Sequence, residues 1–367
     1  MKKLIFKKFI LDTLTFFITS IIIIGTIVWT LQAINYFDFV TTDGHSLKVY
    51  FSYTILNFPK IIHRILPFIF FISLFYIIIN YEKKNELSIF WINGISKIKF
   101  LNKILYFSIV LMVLQILIGA YISPFSQFKS RNILKDSNID FFTSLIKEKK
   151  FINVVKDLTI FIDKKNEDGS YSDIFIDDST KKNSKMIYAK DGVLIDNNKV
   201  KIFRLFNGKV INNEESKINV FEFEQIDFNL LDFTSNTITV PKIQEISSIS
   251  LMNCFFQIKV NEINSFRCED SLKKEIKQEL IKRFYKPIYI PIITILCCFL
   301  ITTSQNKINY NRMRKLIFVI TFLLLVFSET SLRYSATSNF SMIIYFFTPL
   351  IIFSIAYMIF YRMVKNV

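Results

Sequence analysis

Two histidines, two tryptophans, four cysteines, seven glycines and seven prolines are all that 367 residues hold of those types. His45 and His63 stand far apart in the chain, so a histidine-based metal site or catalytic triad has little to build on. No C-x-x-C spacing occurs, and there is no G-x-x-x-x-G-K-[ST] phosphate loop, no G-x-S-x-G and no H-E-x-x-H. The chain therefore does not hydrolyse nucleotide through a loop of its own. It offers no catalytic set, and neither a metal nor a cofactor is expected.

What is abundant is apolar length. Hydrophobic residues make up 51% of the chain, and they gather into five long runs and one shorter one, about 9–34, 55–80, 98–123, 283–303, 314–333 and 340–361. A run of about 18 or more apolar residues crosses the ~30 Å hydrocarbon layer as a helix, and only helices and closed barrels satisfy their backbone there. The first run is too long for the core of a signal peptide and no small-residue cleavage site follows it, so it reads as a retained anchor. The second is interrupted by Lys60, His63, Arg64 and Pro67, which suggests an amphipathic approach into the membrane.

The net charge of +16 invites a nucleic-acid reading, but its distribution argues against one. Residues 125–270 carry 21 Lys and Arg against 22 Asp and Glu, and the rest of the chain 25 against 8. The excess thus belongs to the apolar portions, as the positive-inside rule predicts. With the N-terminus in the cytoplasm, the inner segments hold Lys2, Lys3, Lys7, Lys8, Lys83, Lys84, Lys97, Lys99, Lys103, Lys307, Arg312, Arg314, Lys315, Arg362 and Lys365. The short outer connections hold little beyond Lys48, Lys60 and Arg333. Both termini are expected inside and 125–270 outside.

Within that insert the period of the pattern changes to two. Ile160–Ile162, Asp173–Ile176, Lys185–Tyr188, Gly192–Ile195, Val200–Phe203 and Ile218–Phe223 read as short strands. Asn166–Gly169, Lys190–Gly192, Asp196–Asn198 and Asn207–Gly208 read as the turns between them. Such spacing suggests a sandwich or jelly roll, and would also fit a solenoid. Cys254 and Cys268 flank the end of the insert and could pair if that side is oxidising, which the sequence leaves open. Cys297 and Cys298 sit in an apolar run as packing residues. Residues 271–286, rich in Lys and Glu, read as a helix leading into the fourth span.

The most informative inner stretch is Tyr81–Ser96. As a helix from Asn85 it sets Leu87, Phe90, Trp91 and Gly94 on one apolar stripe, with Glu86 at its start. Such a helix either lies flat on the bilayer or docks in a groove of a cytoplasmic partner, presenting Glu86 to it.

In this stretch the chain resembles the lipopolysaccharide export permease subunits of the LptF/LptG family. That family carries S-R-D-S-E-L-T-A-L-R-A-S-G-I-S at this place, and Glu86-Leu87 and Gly94-Ile95-Ser96 match it, whereas Trp91-Ile92-Asn93 replaces its R-A-S. Glu279-Leu280, Arg283 and Pro287 match its E-L-x-x-R-x-x-x-P entering span four. The resemblance covers essentially the whole chain. It implies six transmembrane helices with an all-β, jelly-roll-like periplasmic domain at 125–270, between helices 1–3 (residues 1–124, with a coupling helix at about 82–96) and helices 4–6 (271–367). It also implies a half of an ATP-binding-cassette transporter in the bacterial inner membrane. The partners would be a dimer of a separate cytoplasmic ATPase, a homologous second permease subunit, a periplasmic bridge protein of similar β-fold, and lipopolysaccharide as cargo. Glu86, Leu87, Phe90, Trp91 and Gly94 would then couple to the ATPase. Which of the two homologous halves this is, the residues leave open.

Charge within the membrane region is costly and marks functional candidates. Arg333 follows Glu329 by four residues, either as a self-neutralised pair or as a guanidinium free to meet lipid phosphate. Lys60 and Arg64 share a helix face, to hold the cargo or to snorkel to ordinary headgroups. Gln32, Asn35 and Asp38 end the first span, where the family often carries lipid-contacting basic residues that this chain lacks. Two rivals remain: an ATP-binding-cassette system acting mechanically or on lipoproteins, and a non-transport anchor for a periplasmic β-domain.

Overall fold

The computed structural model describes residues 2–37, 40, 46–145, 148–155, 158–166, 169–179, 184–197, 200–214, 217–229, 241–256, 268, 272–302, 310–336 and 338–365. Two compact units emerge: residues 1–34, 54–129 and 242–367 form a helical unit, and residues 35–53 with 130–241 form a second unit containing a sheet.

Among the described residues, six helices or helix runs are long and apolar enough to cross a membrane. The first is α1 (Lys2–Asn35). Next, α2 (Leu47–Leu56) leads to α3 (Phe58–Lys83), and a short α4 (Glu86–Ile92) follows. The third run is α5 (Lys97–Leu117), which passes through a π-helical turn, Ile118–Ile122, into α6 (Ser123–Leu145). After the sheet and α7 (Ser248–Phe255), α8 (Lys273–Leu280) continues through a second π turn, Ile281–Tyr285, and a 3-10 turn into α9 (Tyr289–Cys298). The last two runs are α10 (Tyr310–Tyr334) and α11 (Asn339–Lys365).

From Phe58 onward the interrupted second run proves to be one continuous helix. Pro67 lies inside α3, and Ile61, His63, Leu66 and Pro67 are all buried, so this half of the helix packs against protein. A helix that is apolar on every side belongs inside, and α9 fits that rule. Nine of its ten residues are buried, and it packs against α3, α5, α10 and α11. The free thiols of Cys297 and Cys298 lie in this core. Cys254 and Cys268, left open by the sequence, form a disulfide with Cα atoms 5.8 Å apart.

In the second unit, β1 (Lys150–Val155), β2 (Leu158–Lys165), β3 (Ser170–Asp178), β4 (Ser184–Asn197), β5 (Val200–Glu214) and β6 (Lys217–Asn229) form one antiparallel sheet. Its spatial order is the sequence order. Each strand pairs with its successor in sequence, so the described strands make a meander, without the crossovers of a jelly roll.

In the expected Asn166–Gly169 turn the Gly169 N–H donates to the Asn166 carbonyl at 3.1 Å, with Gly169 at φ 82°, while Glu167 and Asp168 lie outside the described residues. Lys190–Gly192 and Asn207–Gly208 are not turns; they lie inside β4 and β5, which run on as long strands. Asp173 (φ 51°) on β3, Lys190 on β4 and Asn207 (φ 52°) on β5 fall on one line across the sheet. On each strand the inward-facing residues shift parity at that line, while the pairing register stays constant. Tyr171 and Ile174, Ala189 and Gly192, and Leu205 and Gly208 all stay on one face as a result. Gly208 permits the close approach there, since a Cβ would strike the backbone of Tyr188. The apolar face gathers Ile160, Ile162, Ile174, Ile176, Ile187, Phe203 and Leu205.

Candidate functional site

The helical unit carries polar chemistry at both ends of α3, which as a 26-residue helix is about 39 Å long. At its C-terminal end, Asn85 (φ 56°) turns the chain into α4 and Gly94 (φ 67°) turns it out again. The Ser96 hydroxyl then accepts from the Lys99 N–H at 3.3 Å and caps α5.

The stripe read from the sequence faces inward. Leu87 and Phe90 are fully buried, and Trp91 packs beside them. Phe90 meets Phe6 at 5.3 Å, Phe9 at 6.2 Å and Phe100 at 5.1 Å between ring centroids. Trp91 lies 5.8 Å from Phe100. These edge-on aromatic contacts rivet α4 to α1 and α5, so Leu87, Phe90 and Trp91 do not form a free docking face. The outward face is instead Ile89 and Ile92, 46% and 85% exposed. Glu86 does not stand free either; its carboxylate lies 3.7 Å from Lys8 Nζ on α1. One turn further along α1, Asp12 accepts a hydrogen bond from the buried Tyr81. A polar cleft of about 480 Å³ holds Lys8, Asp12, Tyr81 and Glu86 together. Asp12 was not singled out in the sequence, although a lone acid inside the first apolar run was a signal.

At the other end of α3 the interior is strongly basic. Lys60 is half-buried and Arg64 exposed, and the charges bearing on Lys60 are those of Lys282, Glu245, Lys242 and Arg64. Lys286 is buried and pairs with Glu329 of α10, and Lys282 pairs with Glu279 at 3.0 Å. Glu329 therefore does not neutralise Arg333, despite their i,i+4 spacing. A buried ammonium without water needs a counter-charge more than an exposed guanidinium does, and Arg333 stays exposed.

Next to this patch lies Arg283, 1% exposed. Its Nε donates to Glu279 at 3.1 Å, and its Nη1 to the Ile246 carbonyl at 2.9 Å and the Ser248 hydroxyl at 3.0 Å. Its Nη2 donates to the Gln244 carbonyl at 2.9 Å. Ser248 in turn donates to the Ala120 carbonyl at 2.6 Å. Arg283 and Ala120 sit on the two π turns, which pack against each other. π turns recur at functional sites. Beside Ala120, Gly119 leaves room for the His63 imidazole, which a Cβ would overlap. The sequence identified Arg283 only as part of a motif. Its role as a hub depends on carbonyls about 40 residues away that no local pattern reveals.

Of the remaining candidates, Gln32 is half-buried and Asn35 exposed at the end of α1. Asp38 lies outside the described residues.

A family model described as lipopolysaccharide export system permease LptF/LptG matches residues 7–363. A protein of Rickettsia prowazekii (strain Madrid E), described as uncharacterized, is 28% identical over 189 residues. That alignment spans about half of each chain, 51% of this one and 52% of the relative.

Proposed function

Because the chain belongs to the lipopolysaccharide export system permease LptF/LptG family, a family of membrane transport components, we propose that it is one permease half of an ATP-binding-cassette transporter. In this reading it draws lipopolysaccharide from the outer leaflet of the inner membrane and hands it to a periplasmic bridge protein. A homologous six-span subunit completes the cavity, and a dimer of a separate ATPase binds below.

The lysine asymmetry supports placing the N-terminus and α4 in the cytoplasm and the sheet in the periplasm. The Cys254–Cys268 disulfide supports the same orientation, because disulfides persist on the oxidising side. On the cytoplasmic side Ile89 and Ile92 offer the ATPase an apolar contact. The Phe6–Phe90–Phe100 cluster and the Lys8–Glu86 pair tie α4 to α1 and α5, and the Tyr81–Asp12 hydrogen bond ties α1 to α3. A push on α4 therefore moves α1, α3 and α5 with it. On the periplasmic side Lys60, Arg64 and Lys282, with Arg333, supply cations for the phosphates of the lipid, and guanidinium suits phosphate through its planar fork.

The observation that carries this reading is the reach of the family match, residues 7–363, across every element named above. The test is purification of the tagged chain from its native host in mild detergent, with mass spectrometry of proteins and lipids together. Recovery of an ATPase, a second six-span homologue and lipopolysaccharide is expected. An ATPase without that lipid would replace the cargo with another envelope component. A chain recovered alone and folded would leave only an anchor for the sheet.

A further inference from the structure

A second basic site lies at the start of α1, away from the residues assigned above to cargo and ATPase. A recess of about 500 Å³ is lined by Lys2, Lys3, Phe6, Lys7, Leu11 and Lys103, with Ile10 completing its wall. The spacing explains how one helix makes such a wall. Residues 2, 6 and 10, and residues 3, 7 and 11, form two adjacent i,i+4 ridges on one face of α1. Lys103 closes the recess from α5. Lys2 also reaches toward the turn between α4 and α5, where its Nζ stands 3.8 Å from the place a Cβ would take on Gly94.

Three features distinguish this recess from lysines scattered at a membrane boundary. Among the described residues no carboxylate lines it and none pairs with its four lysines, whereas the neighbouring Lys8 is paired with Glu86. Its floor is apolar and firmly held: the Phe6 ring packs on Phe90 at 5.3 Å and on Phe100 at 5.9 Å, both fully buried. The recess also opens where two membrane-crossing helices begin, so Ile10 and Leu11 lead from the charged rim into the hydrocarbon depth.

We propose that Lys2, Lys3, Lys7 and Lys103 bind the phosphates of an anionic phospholipid headgroup, with Phe6, Ile10 and Leu11 receiving the start of its acyl chains. Four cations suit a headgroup with two phosphates, as in cardiolipin, better than one with a single charge. Basic recesses between transmembrane helices hold such headgroups elsewhere. Since Phe6 forms both the floor of the recess and a contact of α4, an occupied site braces the base of α1. The site is independent of the cargo reading and stands or falls separately from it.

The full chain, reconstituted in lipid nanodiscs, tests the proposal by native mass spectrometry and thermal unfolding. The probes are phosphatidylcholine alone, phosphatidylcholine with phosphatidylglycerol, phosphatidylcholine with cardiolipin, and inorganic phosphate in the phosphatidylcholine discs. Retention of cardiolipin with a raised melting temperature is expected for the wild type and for a charge-matched control, K83Q/K99Q/K365Q. In K3Q/K7Q/K103Q affinity should fall roughly a hundredfold, the worth of three lysines near an anionic lipid. Equal retention in the two variants would overturn the site. Equal stabilisation by inorganic phosphate would overturn the lipid as its ligand and leave a small-anion site.

Discussion

Arg283 donates to the hydroxyl of Ser248 at 3.0 Å, and that hydroxyl donates onward to Ala120. Through this chain of bonds one guanidinium joins the segment 243–248, which follows the sheet in sequence, to the third and fourth membrane-crossing runs. Such a hub is expensive to break. Substituting Arg283 with Met leaves Glu279 to Lys282 alone and strips the Ile246 and Gln244 carbonyls of their donor, and the expected loss is about 3–5 kcal/mol. Thermal unfolding in detergent reads it, and Arg283→Lys should recover only part, because an ammonium lacks the fork. An unchanged melting temperature in the Met variant would remove the hub from the account.

Gly119 is required by the ring of His63. A methyl group in Gly119→Ala meets the imidazole, and overpacking of this kind costs about 1–3 kcal/mol. The double variant Gly119→Ala/His63→Ala should regain most of that loss, since the same space is emptied. A double-mutant cycle that comes out additive would mean the two residues do not share the space.

Leu87 and Ile92 belong to the same short helix and should behave oppositely. Leu87→Ala empties a buried position and should cost about 2–5 kcal/mol of stability, with ATPase binding following only as the fold loosens. Ile92→Ser, at an exposed position, should leave the melting temperature in place and reduce co-purified ATPase severalfold. The reverse pattern would return the docking face to the Leu87 stripe.

The sheet gives a pH-dependent prediction. Arg204 Nε and Nη2 bond the Asp227 carboxylate at 2.7 and 2.9 Å across β5 and β6, and this hydrogen bonding holds the Asp227 carboxyl below its usual range. A depressed acid stabilises the fold above its ordinary unfolded value, near 4, and loses that contribution as pH falls through the lowered folded value. The stability gap between wild type and Asp227→Asn should therefore be small and constant near neutrality and close in acid, because the pair is exposed. A gap that widened on acidification would contradict the sign.

Much of this was legible in the sequence, for identifiable reasons. Membrane-crossing runs announce themselves by length, and the family match bears out the resemblance seen at Glu86-Leu87, Gly94-Ile95-Ser96 and Arg283. Tertiary choices were hidden. The Leu87–Phe90–Trp91 stripe was visible, but whether it faced a partner or its own bundle depended on Phe6, Phe9 and Phe100, distant in sequence. Glu329 and Arg333 satisfied a local rule that the buried Lys286 overrode. Lys190–Gly192 and Asn207–Gly208 mimic turns because a shift of parity within the strand breaks the period of two as a turn does.

The encirclement of α9 bears on how the protein is made. Its neighbours α3 and α5 precede it in the chain, whereas α10 and α11 follow. A chain released early, before its last helix emerges, would bare the flank of its most deeply enclosed segment to lipid. Phe360 seats against Phe299 just beyond α9, so a copy truncated before residue 360 would lack the last piece of that cover.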